Sequence, residues 1–568
     1  MAVTVTDNRT IRNEADATTG WTGTTAVTLL TTDPDPIEAT GCLGATVGAA
    51  LFDGYHTAAA VGLADHIVYC WVYPRGVIGN RFDANGGLMV HLGDTTNRAA
   101  YKVAGADVAG FRHDIGPTPW QCIALDTTVL PASPLSRAGS AASLNFAAIT
   151  QVGTTVNSLV AAPGMAATYI FDIIRILDPS LNNGCALTIT GGTSGDPGTF
   201  AQIATEDAST ANQKAHGILR QLGAGAFGVQ GPLRFGNPTG TASSWFEDRN
   251  VTVIFEDRDF ADSRYKIFIT DNGTGTTTFK LGDKVGTGIS ALGSNGVSII
   301  AATGVGMEFD ANTDTDVTDV FLYGCTFSGF NRGVKLRQGH EFIGGDIVLS
   351  GQVIADGATM VNSNVLQSTV AVDASALRWN VNLDPDTYLH GMAFSKGTNA
   401  HHAIEFGLTS PTSMVLRQVD FSGFNASNGQ NDSTLHILRT TGTVTISLVG
   451  CTGSISYKTA GATVVLVQDP VTTTVTVRDI VTGDPVQNAR VYMIADSGGP
   501  LSAGTEIING LTDVNGQISD TRTLASNQPV TGWVRRATGG TLYRQGNIAG
   551  TINSTTGLDL TVQMIRDE

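Results

Sequence analysis

Val317-Thr-Asp-Val-Phe-Leu322, Gly333-Val-Lys-Leu336, Glu341-Phe-Ile343 and Gln352-Val-Ile354 follow one another mid-chain as brief apolar stretches divided by Gly, Asn and Asp. Each is rich in residues that favour extended backbone, and none is long enough for an amphipathic helix. The same texture begins at Val251-Thr-Val-Ile-Phe255 and runs through Tyr265-Lys-Ile-Phe-Ile269 and Val297-Ser-Ile-Ile300. Short strands at irregular intervals predict the rungs of a parallel β-solenoid. In such a fold each coil buries its apolar edge only against its neighbours, and Gly and Asn take the tight corners. A weak repeat agrees: Phe327-Ser-Gly-Phe-Asn331 recurs as Phe421-Ser-Gly-Phe-Asn425, as equivalent corners several coils apart would. An antiparallel sandwich would produce a similar pattern, and the sequence alone leaves both open.

The chain has 568 residues, more than one hydrophobic core can organise, so three or four domains are expected. Charged residues are 15% of the chain against roughly 25% in ordinary soluble proteins, and Gly reaches 68. That is the profile of an all-β protein with many tight turns. Apolar residues are 42%, yet no run approaches the ~20 needed to span a bilayer, so a globular chain without membrane insertion is expected. A net charge of −17 with no Lys/Arg stripe argues against a nucleic-acid partner. Met1-Ala-Val-Thr-Val-Thr lacks a basic n-region and an apolar h-region, so an extracellular role would need release by lysis. Cys42, Cys70, Cys122, Cys185, Cys325 and Cys451 show no C-x-x-C pair or zinc spacing and read as free thiols.

Outside the central region, residues 1–20 read as a polar arm. Residues 21–250 read as a sandwich on alternations such as Ile67-Val-Tyr-Cys-Trp-Val-Tyr73 and Gly87-Leu-Met-Val-His-Leu92, with an inserted Ala/Ser/Gly-rich segment near 131–170. Its later strands are Tyr169-Ile-Phe-Asp-Ile-Ile-Arg-Ile-Leu177 and Ala186-Leu-Thr-Ile-Thr190. The solenoid is assigned to 251–468. Asp469-Pro470 then interrupts sheet continuation, and residues 469–568 form a final domain.

That final domain resembles the transthyretin-like, or carboxypeptidase regulatory-like, Ig-type sandwich. The motifs are Thr474-Val-Thr-Val477, Gly483-Asp-Pro-Val-Gln-Asn-Ala-Arg-Val491 and Thr512-Asp-Val-Asn-Gly516. Its turn chemistry agrees, with Asn515-Gly516 supplying a positive φ. The resemblance implies a binding or spacer module. The N-terminal region looks like a concanavalin-type or laminin-G-type jelly roll through Trp21, Gly41-Cys-Leu-Gly44, Trp71-Val-Tyr73, residues 86–94 and Trp120. The order of jelly roll, solenoid and Ig-like cap resembles virion structural proteins of tailed phages.

Candidate chemistry is sparse. Asp310, Asp314, Asp316 and Asp319 offer hard oxygen ligands for Ca²⁺, but the EF-hand spacing is absent and solvated turn aspartates explain them as well. His401-His-Ala-Ile-Glu405 lacks the H-E-x-x-H signature, and adjacent His side chains on a strand face opposite ways. Asp346, Asp384, Asp386 and Glu405 are candidate carboxylates for a polysaccharide depolymerase, though no linear spacing makes two of them converge. Phosphate-loop and nucleophile-elbow motifs are missing. Trp71, Trp120 and Trp379, with Trp245 and Trp533, are candidate sugar-binding platforms, for which core packing is the alternative.

The expectation is therefore a non-catalytic, cofactor-free structural component exposed on a tailed-phage virion, as tail fibre or spike, baseplate appendage, or head decoration. It would serve assembly and host-surface or glycan attachment, contact other virion proteins and form a homo-oligomer, a trimer by resemblance to phage fibres. The rivals are a depolymerase tailspike and a stand-alone carbohydrate-binding protein.

Overall fold

The computed structural model describes residues 3–13, 15, 17–23, 27–31, 41–45, 51–73, 82–104, 121–128, 135–158, 169–207, 218–236, 243–247, 250–255, 265–270, 276–283, 296–302, 306–311, 318–468, 471–524, 526–537, 539–554 and 556–567. These are almost entirely β, with one α-helix, Phe200–Asp207, among them.

The central strands form a parallel solenoid. An 11-stranded sheet passes from Leu187–Thr190 through Leu233–Phe235, Tyr265–Ile269, Met307–Asp310 and Gly333–Lys335 to Ser375–Trp379, His402–Phe406, Leu435–Ile437 and Tyr457–Thr459, each pair parallel. An eight-stranded sheet ending at Ala393–Phe394 and a four-stranded sheet from Ser243–Glu247 to Glu341–Ile343 form further sides of the coil. A three-stranded parallel sheet, Ser413–Arg417, Thr443–Val449 and Thr463–Gln468, accompanies the last coils.

Alternation sets which residues line the interior: Val251–Phe255, Thr277–Leu281 and Val297–Ala301 each bury every second residue. Val253, Ile299, Phe327, Ile347, Val365 and Phe394 then stack in successive coils. Parallel strands place such residues about 4.8 Å apart. Aromatic rings meet across the interior from different sheets, with Phe235 and Phe279 at 5.0 Å and Phe309 and Phe327 at 5.2 Å.

The Phe-Ser-Gly-Phe repeat sits at equivalent corners. Both copies bury both phenylalanines, and Gly329 and Gly423 take φ of 79° and 88°, the left-handed region where a Cβ is penalised. The second copy follows Asp420, four steps further along the column that passes through 326–328, 346–348, 364–366 and 393–394.

Two sequence boundaries need correction. The solenoid begins near Ala186, not at 251, because Leu187–Thr190 already pairs in parallel with Leu233–Phe235. Nor are residues 1–20 a simple arm. Thr4–Asp7 pairs antiparallel with Leu187–Thr190 and caps the first coil, while Thr10–Asn13 joins the sandwich strand Tyr169–Leu177. The antiparallel pair Leu219–Gly223 and Ala226–Val229 closes the neighbouring sheet at the same end.

The N-terminal sandwich consists of two six-stranded antiparallel sheets around Leu43, Val90, Leu92, Val152 and Ile174. Its strand Ile67–Tyr73 is buried on both faces: Val68 and Cys70 enter the sandwich core, whereas Ile67, Tyr69 and Trp71 join the solenoid core. An unbroken apolar run follows from that double burial. The C-terminal sandwich pairs a three-stranded and a four-stranded sheet around its own core of Val475, Val477, Val491, Met493, Val530 and Val534. Cys185 and Cys325 are free and buried, and burial pushes both thiols up to about 12.

Candidate functional site

The tryptophans singled out from sequence divide sharply. Trp379 is fully buried, donates its indole N–H to the Leu383 carbonyl at 3.0 Å and packs on Tyr388. Trp71 is 6% exposed at the joint between sandwich and solenoid, and Trp245 is 3% exposed against Phe235. None of the three presents an open ring face, so the sugar-platform expectation is corrected for Trp71 and Trp379. Trp379 stands at an inward position of its solenoid strand and Trp71 on the face of its strand turned to the solenoid, which sequence distance alone does not reveal. Trp120 lies outside the described residues.

The aspartate cluster also separates. Asp310 lies on the 11-stranded sheet and is 6% exposed, ion-paired with Lys335 at 3.2 Å, and Lys335 also reaches Glu308 at 2.5 Å. Asp319 stands on the four-stranded sheet beside Thr278, another side of the coil. The two are therefore not joint Ca²⁺ ligands. Asp314 and Asp316 lie outside the described residues, among which no group of three or more His, Cys, Asp and Glu is placed to hold a metal.

Of the depolymerase carboxylates, Asp384 and Asp386 are neighbours on one short turn beside Arg417, and the other two lie on different sheets. Asp346 lies on the eight-stranded sheet and accepts from Asn364 at 2.6 Å, while Glu405 belongs to the 11-stranded sheet. Asp384 caps the short turn Pro385–Thr387, and both oxygens of Asp386 accept from one edge of the Arg417 guanidinium, Nε at 2.8 Å and Nη2 at 3.1 Å.

Glu405 belongs instead to an outward column, Arg378, Glu405, His436 and Lys458, one residue per coil. Arg378 pairs with Asp356 at 2.5 Å and Lys458 with Asp373 at 2.5 Å. His402 is fully buried beside the column, with acceptors at both ring nitrogens: the Ser433 carbonyl at 2.5 Å and Asp373 at 3.1 Å. The His436 ring lies 4.6 Å from that of His402. Burial brings the His436 imidazole down to about 4 and raises the Glu405 carboxyl, while Lys458 holds Asp373 low. His401 faces the other way, donating to the His402 carbonyl and accepting from the Gly397 amide, with its ring against Phe424. These groups compensate one another within the column, which reads as a polar seam of the solenoid.

A different arrangement occupies the outer face of the four-stranded C-terminal sheet. Tyr492 on Arg490–Ala495 stands opposite Trp533 on Gln528–Arg536, their rings partly exposed, 5.7 Å apart and inclined at 36°. Asn509 flanks Tyr492 on one side and Asn547 flanks Trp533 on the other, making one transverse row across all four strands. One pair further along the same strands, Arg490 stands opposite Arg535, both exposed. Arg490 donates to Asn509 Oδ1, and Asn509 Nδ2 donates to Glu506 at 2.8 Å.

Sequence reading named Trp533 only as one of several tryptophans and missed Tyr492, Arg490, Arg535 and Asn547. The signal was present in the phase of two alternating strands. In Arg490-Val-Tyr-Met-Ile-Ala495 and Val530-Thr-Gly-Trp-Val-Arg535 the inward positions are Val491, Met493, Val530 and Val534, leaving Arg, Tyr, Trp and Arg outward.

Compared with known proteins, the chain matches no family model and no curated protein. Among solved structures it is similar to the CBM22-1–GH10 modules of a Clostridium thermocellum endo-1,4-beta-D-xylanase 10B, with 14% identity and a TM-score of 0.18, over 30% of this chain and 28% of that one.

Proposed function

We propose that this chain is a non-catalytic structural component of the outer surface of a tailed-phage virion, serving assembly and attachment to host-surface glycans. The observation that carries the reading is the joint between the first two modules. The capping strand Thr4–Asp7 and the two-faced strand Ile67–Tyr73 fasten sandwich to solenoid, one face of the latter strand lying in the solenoid core and the other in the sandwich core. A stiff rod with a module fixed to one end and a separate sandwich at the other suits a protein that holds a surface away from a particle. Phage origin rests on the resemblance in domain order. Tryptic mass spectrometry of purified particles tests it.

The proposal includes a homo-oligomer, a trimer by the same resemblance. The first coil is already covered by the chain's own strands, so open coil ends favour association only at the far end. There the last strand, Thr463–Gln468, is largely uncovered and exposes Val465 at 41%. Apolar edge strands of this kind are ready to pair or pack.

A second reading, a depolymerase, is favoured by one feature. Glu308 and Asp310 lie two residues apart on one strand and face the same way, a close carboxylate pair of the kind that retaining glycosidases use. Lys335 bridges both. Release of new reducing ends from host capsule or lipopolysaccharide, abolished by Asp310→Asn, would establish this reading over the non-catalytic one.

A further inference from the structure

The aromatic and arginine pairs of the C-terminal sheet are hard to explain as packing. Like charges directly opposite on neighbouring strands destabilise a sheet. Arg490 and Arg535 are such a pair, in a chain whose net charge is −17. Arg490 finds only a neutral amide oxygen, and Arg535 has no ion-pair partner among the described residues. The adjacent pair places Tyr492 and Trp533 side by side on the solvent face, although the sheet's core lies on its other face.

We propose that this face is a binding site for an acidic glycan, a pyranose chain carrying carboxylate groups. The proposal rests on the attachment part of the function above and names its ligand class, and it is independent of the particle. The C–H face of a sugar ring packs on an indole or phenol face, which fits Tyr492 and Trp533. A carboxylate accepts charge-assisted hydrogen bonds from guanidinium groups, and an anion between Arg490 and Arg535 removes their mutual repulsion. The two pairs are one step apart along the strands, about 6.8 Å, so one sugar on the rings brings its substituents within reach of both arginines. Asn547, exposed beside Trp533, offers a donor and an acceptor for hydroxyl groups. The bond from Arg490 through Asn509 to Glu506 fixes the opposite side of the row before any ligand arrives.

The test is calorimetric titration of the full chain with polygalacturonate, hyaluronate and polysialic acid, and with neutral maltohexaose as control. Binding of at least one acidic polymer is expected, with maltohexaose at least tenfold weaker and affinity falling as salt rises. Trp533→Ala and Arg535→Gln should each weaken that binding tenfold or more while the chain keeps its cooperative unfolding transition, and Arg535→Lys should retain part of the binding. Failure to bind any of the three polymers, equal binding of maltohexaose, or binding indifferent to both substitutions overturns the proposal. A failed titration leaves particle incorporation untouched, and absence from particles leaves the titration untouched, so the two failures are distinguishable.

Discussion

Arg175, within the sandwich strand Tyr169–Leu177, forms an ion pair with Asp7, the last residue of the strand that caps the solenoid. Asp7 also receives Arg9 at 2.8 Å, and Arg9 lies over the Tyr69 ring. One nearly buried carboxylate thus serves two nearly buried guanidinium groups at the joint between modules. Removing one member of a buried pair leaves uncompensated charge and costs about 3–5 kcal/mol. Asp7→Ala is therefore expected to lower the urea midpoint markedly and to separate sandwich and solenoid unfolding, followed by tryptophan fluorescence. An unchanged single transition would contradict a joint held by this carboxylate.

Acid should loosen the last coils. His436 ionises near 4 in the fold against 6.5 normally, so between those values the unfolded chain binds a proton the folded chain does not. Stability is then present above 6.5 and lost as pH falls through this window, by roughly 2–3 kcal/mol. Asp373, held low by Lys458, adds a loss of the same sign below 3.8. Glu405, raised by burial, opposes the slope just above 4.5. Thermal midpoints measured from pH 7 to 4 should fall for the native chain, less steeply for His436→Gln and more steeply for Glu405→Gln.

Two tryptophans should behave oppositely. Trp379→Ala empties a fully enclosed site and should cost about 3–5 kcal/mol in chemical denaturation. Trp533→Ala removes a partly exposed ring and should cost about 1 kcal/mol or less. A large loss at Trp533 would mean that its ring is structural and would weaken the site described for it.

Much of this architecture was legible in the alternation of single strands. Val251–Phe255 and Val297–Ala301 announce a buried face by burying every second residue. The start of the solenoid was not legible, because Leu187–Thr190 looks the same whether its partner is antiparallel or parallel. It has one of each. Ile67–Tyr73 conceals a second interface for the same reason, since burial on both faces erases alternation. Trp379 and Trp533 are alike as letters, and only the phase of each strand against its core separates them. The opposition of Arg490 and Arg535 depends on register across strands distant in sequence, which no local pattern specifies.

Association state is directly measurable. Light scattering on the purified chain should give about three times the 59.0 kDa of one copy. A species at 59.0 kDa that persists at high concentration would remove the trimer from the proposal.

The most direct test of the central claim is tryptic mass spectrometry of purified, nuclease-treated phage particles produced from a genome encoding this chain. Peptides from all three modules are expected, at a copy number in keeping with a symmetric surface appendage, with the chain accessible to antibody on intact particles. Particles from which the chain is absent, with the protein found only in the soluble lysate, would contradict it.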